Sequence, residues 1–329
     1  MGKRSQRDVA LIYIDDIVDK DILDDIRNRI DLIDIDAISA SGMIEQYIEN
    51  YPYCIFPQTY TTQRPDIVQA NLIEGKIAIL LDGEPFALTV PVLFIDFFQS
   101  ATDYYQRTIL SNFNRFIRIL SIFIVITLPS VYLTLVRFNS ELIPIKFVIP
   151  IVQARSGIAL SPLMEILSIE IVIEILREGG LRLPSRIAQT LSIVGGFIIG
   201  SAALQARLVS PATLVIVGVA TVGTFVVPNY DMSISIRLLG FPLLFLTNYL
   251  GALGLIAGWY FLFVYLLSLD SYGVPYFPID KYSDFKDMYI RSALWKMNKR
   301  PESIPNNNPI RQNDFRSNFW RNKYEKSKK

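Results

Sequence analysis

Four stretches between residues 119 and 269 carry no charged side chain: 119–136, 187–206, 208–230 and 238–269, of 18, 20, 23 and 32 residues. An apolar helix of about 20 residues matches the hydrocarbon thickness of a bilayer. Backbone polar groups inside that layer must be satisfied within the segment, so such stretches fold as helices. With their flanks they predict membrane spans near 117–136, 187–206, 208–230 and 238–269. Only Arg207 separates the second from the third, so these two are expected as a tight antiparallel pair. The fourth exceeds one crossing at a rise of ~1.5 Å per residue and is too short for two, which predicts a helix broken or tilted near Gly240-Phe241-Pro242.

Charge is distributed to match. Residues 1–114 hold 9 Lys/Arg and 18 Asp/Glu, residues 115–280 hold 10 and 8, and residues 281–329 hold 13 and 5, giving −9, +2 and +8. This predicts an α+β chain: a small soluble α/β domain over 1–114, a helical transmembrane domain over 115–280, and a basic, disordered cytoplasmic tail over 281–329. Four full crossings place both termini on one side, and the basic tail marks that side as cytoplasmic. The opening MGKRSQ has no apolar core, so no signal peptide is expected and the head stays inside. On this count 143–154 and 162–178 are re-entrant, interfacial or pore-lining.

Within the head, 9–14 (VALIYI) reads as a buried strand, and Asp19 as the cap of a helix with Ile22, Leu23, Ile26, Ile30 and Ile33 on one face. Residues 33–38 (IDIDAI) alternate as an edge strand would. Helices are expected over about 41–49 and from Pro65 to Ile73, the latter stopped by Gly75. Asp82-Gly83, between 76–81 and 85–90, is the strongest hairpin signal. An aromatic-rich helix over about 95–117 leads to the first span.

The chain has no histidine, which excludes Ser-His-Asp and Cys-His catalysis and His zinc sites, and its single Cys54 forms no intramolecular disulfide. No Walker A, GxGxxG or GxSxG pattern occurs, and no enzymatic activity, cofactor or metal is expected. The acids Asp15, Asp16, Asp19, Asp34 and Asp36 read as caps and solvated strand ends, and Cys54 as a small apolar side chain. The informative segment is 162–178, where Glu165, Glu170 and Glu174 sit among Ile, Leu, Val and Met. Carboxylates at membrane depth are costly and face water, a partner or an ion path. Glu170, Glu174 and Arg177 share one helical stripe. Around a symmetric oligomer that stripe forms acidic rings selecting cations; alternatively the helix lies at the interface with its acids solvated or paired to Arg177 and Arg182. Gly196 and Gly200, and Gly254 and Gly258, are candidate helix-packing pairs. Gln189, Gln205 and Asn248 read as interhelical hydrogen bonders, and the basic tail with Trp295 and Trp320 as a contact for anionic membrane lipid rather than nucleic acid.

Several long segments resemble one family. RDVALIYIDDI (7–17), IDIDAISASGMIEQYIE (33–49), the block from TQRPDIVQANLIEGKIAILLDGEPFALTV to VPVLFIDFFQSATDYY, EILREGGLRLP (174–184), VPNY (227–230) and SYGVPYFP (271–278) are similar to the A subunits of spore germinant receptors, the GerA family. The likeness covers about residues 4–278. It implies an inner-membrane protein of endospore formers that works with a transporter-like B subunit, which binds the nutrient, and a lipoprotein C subunit. It further implies a homo-oligomer acting as a ligand-gated cation channel that triggers spore germination, and an additional soluble subdomain ahead of the block where this sequence begins. A secondary transporter and a non-conducting membrane-anchored scaffold are the alternatives.

Overall fold

Four short apolar segments pair into one antiparallel sheet of order β1-β3-β4-β2: β1 Val9–Ile12, β2 Tyr60–Thr62, β3 Ile77–Leu81 and β4 Ala87–Val90. The structure, a computed structural model, describes residues 1–279, 284–313 and 319. Ile79 on β3 stands opposite Leu11 of β1 and Leu88 of β4, and Gly83 takes φ +76° in the expected hairpin. Three helices accompany the sheet: α1 Lys20–Asp31, α2 Ser41–Ile48 and α3 Pro65–Ile73. Asp19 caps α1 by accepting from the N–H groups of Asp21 and Ile22, and the helix buries Leu23, Ile26 and Ile30 in a core with Ile44, Ile48, Ile77, Ile79 and Leu88.

Two local expectations are corrected. Residues 33–38 form no strand: Ile35 and Asp36 carbonyls accept from Lys3 and Arg4 N–H, while Ile38 enters the core and Asp34 and Asp36 pair with Lys3 and Arg4 outside. The alternation is satisfied by an irregular segment, and β2 takes the sheet edge. The helix expected over 95–117 is instead a 3-10 turn, Phe94–Phe98, a short α4, Thr102–Tyr105, and the start of α5, Thr108–Arg137. Asp96 accepts from Leu93 N–H and Asp103 from Ser100 N–H, local bonds that compete with a continuous helix.

The chain divides into two units, residues 1–118 with 263–329, and residues 119–262. The C-terminal part of the first unit is knitted into the head. β5 Asp270–Ser271 and β6 Val274–Pro275 form a tight hairpin with Tyr272 and Gly273 both at positive φ. Tyr276 is buried with its hydroxyl donating to Pro57 O (2.8 Å), and Asp270 accepts from Asn50 Nδ2 (2.6 Å). Residues 284–313, within the segment expected as a disordered tail, are ordered for a physical reason: they satisfy head backbone groups. Asn307 N–H donates to Ile17 O (2.9 Å), its Nδ2 to Val18 O (2.7 Å), and Arg300 Nε to Ile73 O (2.7 Å).

The second unit is helical: the remainder of α5, then α6 Ile145–Arg155, α7 Pro162–Leu181, α8 Ser185–Gln205, α9 Pro211–Thr224, α10 Tyr230–Leu250 and most of α11 Ala252–Ser268. Tyr132, Leu133, Leu163, Ile166, Val217 and Leu244 form its core. Among the described residues two helices, α5 and α10, are long and apolar enough to cross a bilayer; α9, α11 and the 193–205 part of α8 are shorter apolar helices. The last uncharged run breaks at Gly251 rather than near Pro242: α10 continues through Pro242, and Gly251, at φ +60°, separates it from α11. Only glycine tolerates that backbone conformation cheaply, whereas losing one N–H at Pro242 still leaves a packed helix.

Candidate functional site

The three glutamates of α7 fall into two environments. Ser161 caps the helix, with Pro162 at its first position, and places Glu165 in the first turn with 0% exposure. Glu165 pairs with Arg155 of α6 (2.8 Å), and its Oε2 accepts from Ser210 N–H (2.9 Å) and Thr213 Oγ1 (2.8 Å) at the start of α9. Tyr132 of α5 joins through its hydroxyl, 3.1 Å from Thr213 Oγ1. A carboxylate held by a guanidinium and by two donors at the start of a helix acts as a packing centre, although its Oε1 has the Arg155 ion pair and no hydrogen bond among the described residues.

Glu170 and Glu174, one turn apart, line a cavity of about 40 Å³ between α7, α9 and α10, together with Arg177, Thr224, Arg237 and Phe241. Glu165 does not line it. Glu174 Oε1 accepts from Arg177 Nη1 (3.0 Å) and Arg237 Nε (2.7 Å), so it is held by two cations. Arg177 is fixed in turn by Thr224 Oγ1 (2.8 Å) and by the Phe225 ring, 5.3 Å from its guanidinium, and Arg237 by Ser233 Oγ (3.2 Å). Glu170 has no side-chain hydrogen bond or ion pair among the described residues. The cavity exceeds the space one water needs. The site thus offers a carboxylate without a direct partner among the described residues, beside room for a water or a small ion and next to a Glu–Arg–Arg cluster with one excess positive charge.

The glycine pairs also differ. A Cβ on Gly254 would lie 2.3 Å from Leu246 O, and one on Gly258 2.2 Å from Leu243 Cδ1, so α11 meets a backbone carbonyl of α10 at the first glycine and a side-chain methyl at the second. A Cβ on Gly196 meets nothing within 4 Å, and one on Gly200 only Leu214 Cδ2 at 3.9 Å. Asn248 accepts a hydrogen bond from the Arg137 guanidinium, linking α10 to α5. The Gln189 side chain and Trp320 lie outside the described residues. The acids of the head do not converge: Asp15 pairs with Lys20, Asp34 with Lys3, and Asp19 is a cap. Among the described residues no metal-holding cluster of acids occurs. Burial pushes the Cys54 thiol up, and it accepts from the Tyr265 hydroxyl at 3.1 Å.

Sequence reasoning missed the buried ions of the head. Lys76 is 2% exposed and donates to Asp96 (2.7 Å) with Glu74 at 3.8 Å. Asp103 is gripped by Arg118 (2.6 and 2.7 Å) and Arg115 (3.2 Å). The available signal was a lone charge between apolar neighbours, in GKIAILL and FIDFF.

The described residues thus combine an α/β head with a helical unit that holds a charged site among apolar helices, two of them long and apolar enough to cross a bilayer. The sequence comparisons give the family. Residues 1–303 match the family described as GerA, Bacillus/Clostridium GerA spore germination protein, and the chain belongs to it. It is 41% identical over 314 residues to spore germination protein KA of Bacillus subtilis, covering 94% of this chain and 58% of that one. It is 39% identical to spore germination protein GerLA of Bacillus cereus (92% of this chain, 62% of the relative) and 38% to the uncharacterized membrane protein YfkQ of Bacillus subtilis (94% and 61%). The chain therefore spans about three fifths of the length of these curated relatives. No solved structure matches it.

Proposed function

We propose that the chain acts as the A-type membrane subunit of a nutrient receptor that triggers spore germination, and that it oligomerises into a ligand-gated cation channel. In this reading it sits in the inner membrane with head and tail on the cytoplasmic side and works with a transporter-like B subunit and a lipoprotein C subunit. The names of its relatives support the germination role. The observation that carries the channel reading is Glu170, a carboxylate with no hydrogen bond or ion pair among the described residues, beside a water-sized cavity in an apolar helical unit. Such a group is costly unless it meets water or an ion in one of the protein's states. Nutrient binding elsewhere opens the pathway only by favouring the open state, through a difference in affinity.

The test is single-channel recording in planar bilayers of the receptor assembled with its B and C partners, comparing wild type, Glu170→Gln and Glu174→Gln. Glu170→Gln is expected to lower cation-over-anion selectivity about tenfold at unchanged protein level, while Glu174→Gln, which frees two arginines, lowers the melting midpoint. Coupled uptake without unitary steps would indicate the transporter. Silence with wild-type assembly would indicate the scaffold.

A further inference from the structure

A cavity of about 420 Å³ opens in the head beside α3, the 94–98 turn and α4, with Leu294 and Arg311 of the C-terminal segment in its wall. Ile67, Ile73, Leu294 and the rings of Tyr60 and Tyr104 make much of that wall apolar. Most of its charges are matched. Lys76 at the floor is held by Asp96 (2.7 Å) and Asn71 Oδ1 (3.3 Å), and Asp66 by Arg64 (2.7 Å) and the Tyr105 hydroxyl (3.0 Å).

Two opposite charges remain. The Glu74 carboxylate accepts no hydrogen bond among the described residues, and its one ion-pair contact, Lys76 at 3.8 Å, is already engaged by Asp96. Arg311 is anchored by its backbone N–H to Asn298 O (2.8 Å), and its guanidinium makes no hydrogen bond or ion pair among the described residues. A ligand-sized apolar cavity with a few convergent polar groups is the usual form of a small-molecule site. A free guanidinium recognises a carboxylate through paired N–H donors, and a free carboxylate recognises an ammonium.

We propose that this cavity binds a small zwitterion with an apolar body, an α-amino acid whose carboxylate meets Arg311 and whose ammonium meets Glu74. Its side chain lies against the isoleucines and tyrosines. Burial raises the Glu74 carboxyl to about 7, against the lowering by Lys76 and Arg311 and with a further rise from Asp96 and Asp287, the charged groups that face it. An incoming ammonium favours the ionised form. Affinity should therefore increase as pH rises through 7, and binding at pH 6 should release a proton. The site lies wholly within the head and is read by binding, so it stands or falls separately from the channel reading.

The experiment is calorimetric titration of the full-length chain in detergent with L-phenylalanine, phenethylamine, which lacks the carboxylate, and 3-phenylpropionate, which lacks the ammonium. L-Phenylalanine is expected to saturate one site per chain, with each single-charge relative at least about tenfold weaker. Arg311→Gln should erase the difference between L-phenylalanine and phenethylamine, and Glu74→Gln the difference from 3-phenylpropionate together with the pH dependence. Ala70→Trp, which fills the cavity from α3 while keeping both Glu74 and Arg311, should abolish binding with the fold intact, and serves if a charge variant fails to fold. Equal binding of all three probes, unchanged binding by Ala70→Trp, or no saturable heat from L-phenylalanine at about 10 mM would overturn the proposal.

Discussion

Single buried charges set much of this protein's pH behaviour. Asp103 is buried, which disfavours its ionised form, yet the hydrogen bonds and charge of Arg118, with Arg115, hold its carboxyl below the ordinary value. Its contribution is present above the unfolded value and lost as pH falls through the folded one. Glu74 runs the other way. Its carboxyl is raised from 4.5 to about 7, chiefly by burial, so between those values the folded state binds more protons than the unfolded state and stability declines as pH rises. A shift of that size corresponds to about 3 kcal/mol across the window. Glu49, also raised to about 7 by burial and by Glu45, adds a decline in the same direction. Glu74→Gln is therefore expected to be more stable than wild type at pH 8 and to show a flatter melting midpoint between pH 5 and 7, with the Glu49 part remaining. Melting followed by circular dichroism at half-unit pH steps checks this, and an unchanged slope would remove Glu74 from the account.

At the scale of elements, the packing of α10 against α11 depends on two glycines that differ in what opposes them. The backbone carbonyl of Leu246 faces Gly254 and has little room to move, whereas the methyl of Leu243 that faces Gly258 ends a flexible side chain. Gly254→Ala should lower the melting midpoint most and Gly258→Ala less. Gly196→Ala should be neutral or raise it, because alanine in a helix is favoured by about 1 kcal/mol where no atom opposes its Cβ. Melts of the three variants in one detergent rank them, and a destabilised Gly196→Ala would contradict the open surroundings of that residue. The elements themselves were unevenly legible in the sequence. Local chemistry was readable: the Asp19 cap, the Asp82-Gly83 turn and the stop at Gly75 need only neighbouring residues. What failed depended on distant partners. Residues 33–38 alternate as a strand does, but Lys3 and Arg4 draw their backbone into a loop, and β2 finds its place only through pairing with β4. In the site, the spacing correctly put Glu170 and Glu174 on one face, but it could not show that Arg237, 63 residues later, closes on Glu174, or that Arg155 claims Glu165.

At the scale of the whole molecule, the chain leaves the head along α5 and returns to it along α11, and the head is assembled from both ends of the sequence. Asn307 bonds the backbone of Ile17 and Val18, and Asp270 receives Asn50, so residues before α5 and after α11 belong to one folded body. A body of that kind cannot lie partly on each face of a bilayer, because its interleaved backbone would have to pass through hydrocarbon. Under the membrane reading the intervening chain crosses an even number of times, and α5, long and apolar enough to span alone, is expected to deliver the loop at Glu141 to the opposite face. The prediction can be checked with single cysteines at the exposed positions Asp24, Glu141 and Lys296 in a Cys54→Ser background, labelled in oriented vesicles with a maleimide that does not permeate. Asp24→Cys and Lys296→Cys should react from the same face and Glu141→Cys only from the other. Labelling of the first two from opposite faces would show that the ends of the chain do not share one domain in the membrane. Reaction of all three from one face would mean instead that α5 does not cross, and the charged cavity of α7 and α10 would then need another explanation than an ion path.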